Sequence, residues 1–226
     1  MKSVLHVGLD HAAPVPLHTD IRSGQFEGFE VDLLQYIAQK LNCHLEYKII
    51  LWKDILEKLE QKEVDIVCSA VTVTESRKKV LGFTNSYLDF HLGVVSRKDG
   101  LLDSIEKLSQ KKAGVRIATE AEDYIRQYLN PLSIYTSDSN DDLYTQLQTG
   151  AFDYLVDDTS IAGAFVEKHP TLSVSLILPD TESSYAIALQ KDNHSLRETI
   201  NTILDELKQN GTYDMMYQRW FHNILL

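Results

Sequence analysis

Arginine and the carboxylates are the groups in this 226-residue chain best equipped for chemistry. There is no G-x-S-x-G elbow, no glycine-rich phosphate loop, and no H-E-x-x-H or C-x-x-C pair, so the common nucleophile and metal signatures are missing. The eight histidines are scattered without ligand spacing. The two cysteines, Cys43 and Cys68, carry no metal or redox spacing, and two free, buried thiols are expected. The sequence calls for no cofactor and no metal. What remains is charge recognition. Arg77 lies in the polar stretch Thr72–Lys79, and Asp157 and Asp158 follow an apolar run. A guanidinium fork matches two carboxylate oxygens, and a carboxylate pairs with an ammonium. Taken alone, Arg77 is as readily a surface arginine at a helix start.

The elements that must position these groups alternate as in an α/β protein with parallel strands. Val4–Leu9 reads as a strand leading into a loop that contains Pro14. Phe29–Leu41 reads as a helix, with Leu33, Leu34, Ile37 and Leu41 on one face. The pattern continues with a strand (44–51), a helix (53–61) and a buried strand (64–69). After the polar loop comes a strand at 92–96. Next are a helix at 101–108, a strand at 114–118, a helix at 122–129 and a strand at 133–136. A helix at 141–147, a strand at 154–156 and a helix at 161–167 follow. A strand at 185–190 and helices at 196–209 and 213–221 finish the chain, with Gly211 as a helix stop.

Leu59 precedes Asp65 by the same six positions as Leu147 precedes Asp153, and each acid opens an apolar strand with a polar end. Two helix–turn–strand units therefore deliver polar groups at a strand's C-terminal edge, where open α/β sheets bind ligands. Two such edges facing each other would make a cleft. The expected organisation is a discontinuous first lobe, residues 1–89 plus 186–226, and a second lobe, residues 90–185. Crossing strands near Leu88–Gly93 and Ser183–Ile187 would form a hinge suited to closure on a small ligand.

Composition narrows the classes. With 43% hydrophobic and 24% charged residues the chain reads as a soluble globular protein. No apolar run approaches the ~20 residues of a membrane span. The formal charge of −11 argues against nucleic acid as a partner. It mildly favours cations, although an acidic surface also serves solubility. No signal peptide is visible, so the protein is cytosolic or a leader has been removed.

The stretch Ser69-Ala-Val-Thr-Val-Thr-Glu-Ser-Arg77, with Phe83-Thr-Asn-Ser-Tyr87 after it, resembles the signature of family-3 bacterial extracellular solute-binding proteins. Gly28-Phe-Glu-Val-Asp-Leu-Leu34 is similar to the family's G-F-D-V-D-L, and Asn210-Gly-Thr-Tyr through Trp220-Phe221 to its N-G-T-Y…W-F tail. The likeness covers essentially the whole chain, in order. It implies a type II periplasmic-binding-protein fold, two α/β lobes joined by two crossing strands. The function it implies is the solute-binding component of an amino-acid ABC transporter, acting outside the cytoplasm, periplasmic or lipid-anchored. A free amino acid and a membrane permease would be its partners, and the protein would be a monomer and no enzyme.

By that resemblance Arg77 and Thr72 hold the ligand α-carboxylate, and the Ala70 carbonyl and Asp158 take the α-ammonium. Ser69 belongs to the same stretch. Trp52 walls the ligand side chain and Asp10 contacts it. The plainer alternatives are Trp52 packing under the next helix and Asp10 forming a turn before the Pro14 loop. Three departures stand out. Ala13 replaces a second aromatic. Glu120 replaces the usual glycine after Ala118. Asp157 neighbours Asp158, and Glu122 lies two residues beyond Glu120. An excess of carboxylates favours a cationic ligand; alternatively Glu120, Glu122 and Asp157 point to solvent as helix N-terminal acids. Two rivals remain. A cyclohexadienyl-dehydratase-like enzyme on the same fold would use Glu120 or Glu122 as general acid. An extracytoplasmic sensor domain would carry further domains, and an end at Leu226, soon after the tail motif, favours a free-standing carrier.

Overall fold

Residues 3–11, 17–20 and 25–221 are described by the structure, a computed structural model. Buried side chains along Val4–Asp10 make it the first strand, β1. Two short strands, β2 (Thr19–Asp20) and β3 (Phe26–Glu27), pair antiparallel and lead into helix α1 (Phe29–Leu41). Leu33, Leu34, Ile37 and Leu41 are buried on α1, which Asn42 ends in a left-handed conformation (φ 50°). Gly28 precedes α1 at φ 139°, and a Cβ there would lie 2.3 Å from the Leu17 carbonyl oxygen. Only glycine lets the 17–18 segment lie against the start of α1. Then come β4 (His44–Ile50), α2 (Trp52–Glu60), β5 (Ile66–Val67), α3 (Glu75–Lys78) and β6 (Leu81–Phe90).

The middle of the chain forms β7 (Leu92–Arg97), a 3-10 turn (Lys98–Gly100), α4 (Ile105–Leu108), β8 (Lys112–Arg116), α5 (Glu120–Tyr128), β9 (Ser133–Ser137), α6 (Asn140–Thr149), β10 (Tyr154–Asp158), α7 (Thr159–Lys168) and β11 (Leu172–Ile177). The chain returns through β12 (Ser183–Gln190) and ends its described part with α8 (His194–Gln209) and α9 (Thr212–Phe221).

The chain divides into two compact units. Met1–Asp89 with Ser184–Asn223 forms unit 1, and Phe90–Ser183 forms the body of unit 2. Unit 1 holds a five-stranded sheet ordered β4-β1-β5-β12-β6, and unit 2 one ordered β11-β7-β10-β8-β9. The sheets are mixed, which corrects the all-parallel expectation. β1 pairs parallel with β4 and β5, and β8 with β9 and β10, whereas β12 runs antiparallel to β5, and β7 to both β10 and β11. The reversed strands are the two by which the chain enters each unit. No crossover helix precedes them within the unit, so nothing returns the chain to a parallel start. The helix expected over residues 101–108 is shortened to Ile105–Leu108, because Gly100 closes the 3-10 turn and Ser104 takes the cap position.

Candidate functional site

The C-terminal ends of β1 and β5 bring four of the expected residues of unit 1 together. Asp10 is the last residue of β1 and is buried at 3% exposure; its backbone N–H donates to Ser69 Oγ at 2.9 Å. Ser69 therefore fastens the end of β5 to the end of β1. Ala70 follows at φ 51°, a left-handed conformation that a non-glycine residue adopts only when held. Thr72, buried at 5% exposure, bridges to Tyr185 of β12.

Arg77 projects from the four-residue α3. Thr74 caps that turn, accepting from the Arg77 backbone N–H at 3.2 Å. The guanidinium donates to the Thr72 carbonyl at 2.9 Å and lies 5.6 Å from the Trp52 ring centroid. One donor edge is thus anchored and one face stacked, which orients a half-buried cation. Trp52, the first residue of α2, also packs on the core around Ile55 and Leu59. Trp52 thus packs below on the core and faces the guanidinium above. Ala13 and Pro14 lie outside the described residues.

Two residues beside this group escaped sequence reasoning. Glu30 is fully buried on α1. Its Oε1 accepts from the Ala70 N–H at 2.7 Å and from the Tyr87 hydroxyl, and its Oε2 lies 2.5 Å from His18 Nδ1. The other ring nitrogen of His18, Nε2, lies 3.1 Å from the Asp10 carbonyl oxygen. Glu30 sits inside the G-F-E-V-D-L motif, and a buried acid on the apolar side of a helix was the available signal. Cys68, next to Ser69, is buried, and burial pushes its thiol well above the usual range. Both cysteines are free, but Cys43 is only half-buried.

In unit 2, α5 begins at Glu120. The left-handed backbone that favours glycine falls at Ala118 (φ 60°), which corrects the assignment of the replaced glycine to Glu120. Thr119 caps α5, accepting from the Glu122 N–H at 3.3 Å, while Glu122 Oε2 accepts from the Ala118 N–H at 2.7 Å, a capping box. Glu122 Oε1 accepts from Arg126 at 3.0 and 2.7 Å. Both oxygens of Glu122 thus serve α5 and the turn before it. Glu120 lines a groove of unit 2 together with Asp123, Tyr124, Tyr128, Asp180 and Glu182.

Asp157 and Asp158 end β10 and separate sharply. Asp158 is half-buried and stands at the N-cap position of α7 without a side-chain capping bond. Asp157 is buried, which sets aside the reading in which it points to solvent. Its carboxylate accepts from the Tyr144 hydroxyl and from the Asp158 N–H, each at 2.9 Å. Burial pushes its pKa up to about 6, while the Tyr144 and Asp158 hydrogen bonds and the charge of Arg116 pull it back.

A carboxyl raised in the folded state lends stability that is full below its unfolded value, about 3.8, and is lost as pH rises through about 6. Asp157→Asn is therefore expected to be more stable than the parent at pH 7, by about 1–3 kcal/mol. The difference should shrink as pH falls from 7 to 4.5, which urea unfolding at both values checks. An unchanged difference would contradict the raised carboxyl.

The family model of bacterial extracellular solute-binding proteins, family 3, matches residues 5–223. An L-cystine-binding protein, TcyJ of Escherichia coli strain K12, is 29% identical over 223 residues, 97% of this chain and 83% of that protein. An ancestral arginine-binding protein solved with bound arginine superposes with a TM-score of 0.89 at 30% identity, over 98% of this chain and 99% of the other. An ancestral amino acid-binding protein described as a precursor of cyclohexadienyl dehydratase superposes with a TM-score of 0.89 at 28% identity, over 97% and 96%. With the family matched from Leu5 through the end of the described chain, and two mixed α/β sheets like those of its solved relatives, this protein belongs to the bacterial extracellular solute-binding proteins of family 3.

Proposed function

We propose that this protein is the solute-binding component of an amino-acid importer of the ABC type, and that it takes a free cationic amino acid. In this reading Arg77 and the Thr72 hydroxyl and N–H receive the α-carboxylate. The Ala70 carbonyl and, from unit 2, Asp158 receive the α-ammonium. Trp52 packs along the ligand's side chain, and Asp10 and Glu120 supply negative charge for its far end. Glu122 leaves the ligand set, because its oxygens cap α5 and pair with Arg126. The observation that carries the reading is the oriented guanidinium, anchored on Thr72 and stacked on Trp52. The similarity to an arginine-bound structure supports the choice of ligand class.

The protein would work outside the cytoplasm and deliver its ligand to a membrane permease. Among the described residues no helix is long and apolar enough to cross a membrane. Binding without turnover is favoured because Glu122, one of two carboxylates suited to general-acid work, is committed to its helix. A thermal-shift screen of the common amino acids and ornithine tests the ligand class. Arginine, lysine or ornithine should stabilise most, glutamine less, and glutamate and aspartate least. At about 100 times its dissociation constant a ligand adds roughly 2.7 kcal/mol. That corresponds to a shift of about 5–11 °C at ~2–4 °C per kcal/mol. A preference for glutamate or for an apolar amino acid would contradict the cationic assignment.

A further inference from the structure

The residue that holds the ammonium-facing corner of unit 1 lies beneath it. Ala70 carries a backbone conformation that L-residues disfavour, and its N–H is received by a carboxylate with no exposure to solvent. The same carboxylate receives the Tyr87 hydroxyl and meets His18 Nδ1. His18 Nε2 faces the Asp10 carbonyl, and a carbonyl oxygen only accepts, so Nε2 carries a proton. Glu30 Oε1 already receives two donors, which is the pattern of an ionised carboxylate. The proton between Nδ1 and Oε2 then belongs to the ring, and His18 is an imidazolium. One buried pair thereby ties together the end of β1 at Asp10, the corner at Ala70, and β6 at Tyr87.

We propose that Glu30 is a positioning residue for ligand binding: paired with protonated His18, it holds Ala70 in the left-handed conformation that presents its carbonyl to the ligand ammonium. The proposal rests on the amino-acid-binding reading above, since the ammonium is that ligand's. It assigns a role to two residues that touch no ligand. The titratable groups around the ring are Glu30 and Asp10, with Tyr87 and Cys68 behind Glu30 and His11 beside Asp10. Burial pushes the Tyr87 hydroxyl and the Cys68 thiol well above their usual ranges, so both stay neutral. Burial also lowers the imidazole's pKa, but the hydrogen bond and charge of Glu30, with the Asp10 carbonyl, outweigh it and the net direction is up. The pair's contribution to stability is accordingly full below the ring's ordinary value of 6.5 and is lost as pH rises through the raised one.

The test uses the full chain, with L-arginine as the probe. In ligand-free protein, nitrogen NMR of the His18 ring should show both nitrogens still mostly protonated at pH 6.5, the ring's ordinary midpoint. In Glu30→Gln, which keeps an acceptor for Ala70 but removes the charge, the ring should lose its second proton at a lower pH than in the parent. Arginine affinity in this variant should fall roughly tenfold or more, as expected when a hydrogen bond to a charged group is lost. Adding Ala70→Gly should restore part of that loss, because glycine adopts the left-handed conformation without being held. A residue that merely stabilised the fold would show no such rescue. Should Glu30→Gln fail to fold, Glu30→Asp, which keeps the charge but shortens its reach, serves in the same comparison.

A His18 ring that loses its second proton at or below pH 6.5 in the parent protein would overturn the pair. Affinity in Glu30→Gln within twofold of the parent would overturn the positioning role. Failure of the parent to bind arginine or any other amino acid would instead defeat the functional reading. Ring NMR and hydrogen exchange at the Ala70 amide, protected in the parent and faster in Glu30→Gln, still decide the pair and its hold on the corner.

Discussion

Arg77→Ala is expected to lose roughly 30-fold or more in affinity for L-arginine while the protein stays folded. The loss follows from removing one side of a desolvated, charge-assisted contact, at about 2–5 kcal/mol and tenfold per ~1.4 kcal/mol. The fold should survive because α3 buries none of its four residues. Arg77→Lys sharpens the result. It keeps the charge but loses the planar fork and its stacking on Trp52, so most of the loss should remain. Calorimetric titration checks both variants, and near-parent affinity in Arg77→Ala would remove the carboxylate clamp from the account.

Asp158→Ala should cost a comparable 2–5 kcal/mol or so of binding, through the ligand's ammonium. Circular dichroism of the variant checks separately that the fold is kept, since Asp158 stands half-buried at the start of α7. The neighbouring position is the internal control. Asp157 spends its carboxylate on Tyr144 and on the Asp158 backbone, so Asp157→Asn acts on stability and its pH dependence rather than on ligand. Adjacent acids on one strand end are thus expected to split cleanly, one read by calorimetry and the other by urea unfolding. Equal effects of the two on affinity would show that Asp158 is not the recognising group.

How much of this was legible in the sequence depended on how locally each feature is encoded. Helix α1 was readable because its four leucine and isoleucine positions repeat at the helical period and all are buried. Strand β6 was legible only at its end, within the crossing segment Leu88–Gly93, because Gly82, Thr84, Asn85, Ser86 and Asp89 interrupt its apolar residues; packing within unit 1 makes the rest a strand. Strand β11, with Ser173 and Ser175, was hidden for the same reason. The Thr72–Arg77 group was legible as a motif, and the structure adds how Arg77 is oriented. The left-handed backbone at Ala118, two residues before Glu120, was not legible, because backbone handedness leaves no mark on side-chain pattern. The Glu30–His18 pair joins residues twelve apart through a close approach of the 17–18 segment that only Gly28 permits, and no periodicity announces such a contact.

The central claim, that this chain binds a free cationic amino acid, is tested most directly by calorimetric titration of the parent protein with L-arginine at neutral pH. The account predicts saturable binding of one ligand per chain, with L-glutamate giving no comparable heat under the same conditions. Folded protein that shows no saturable binding of arginine, lysine or ornithine would contradict it.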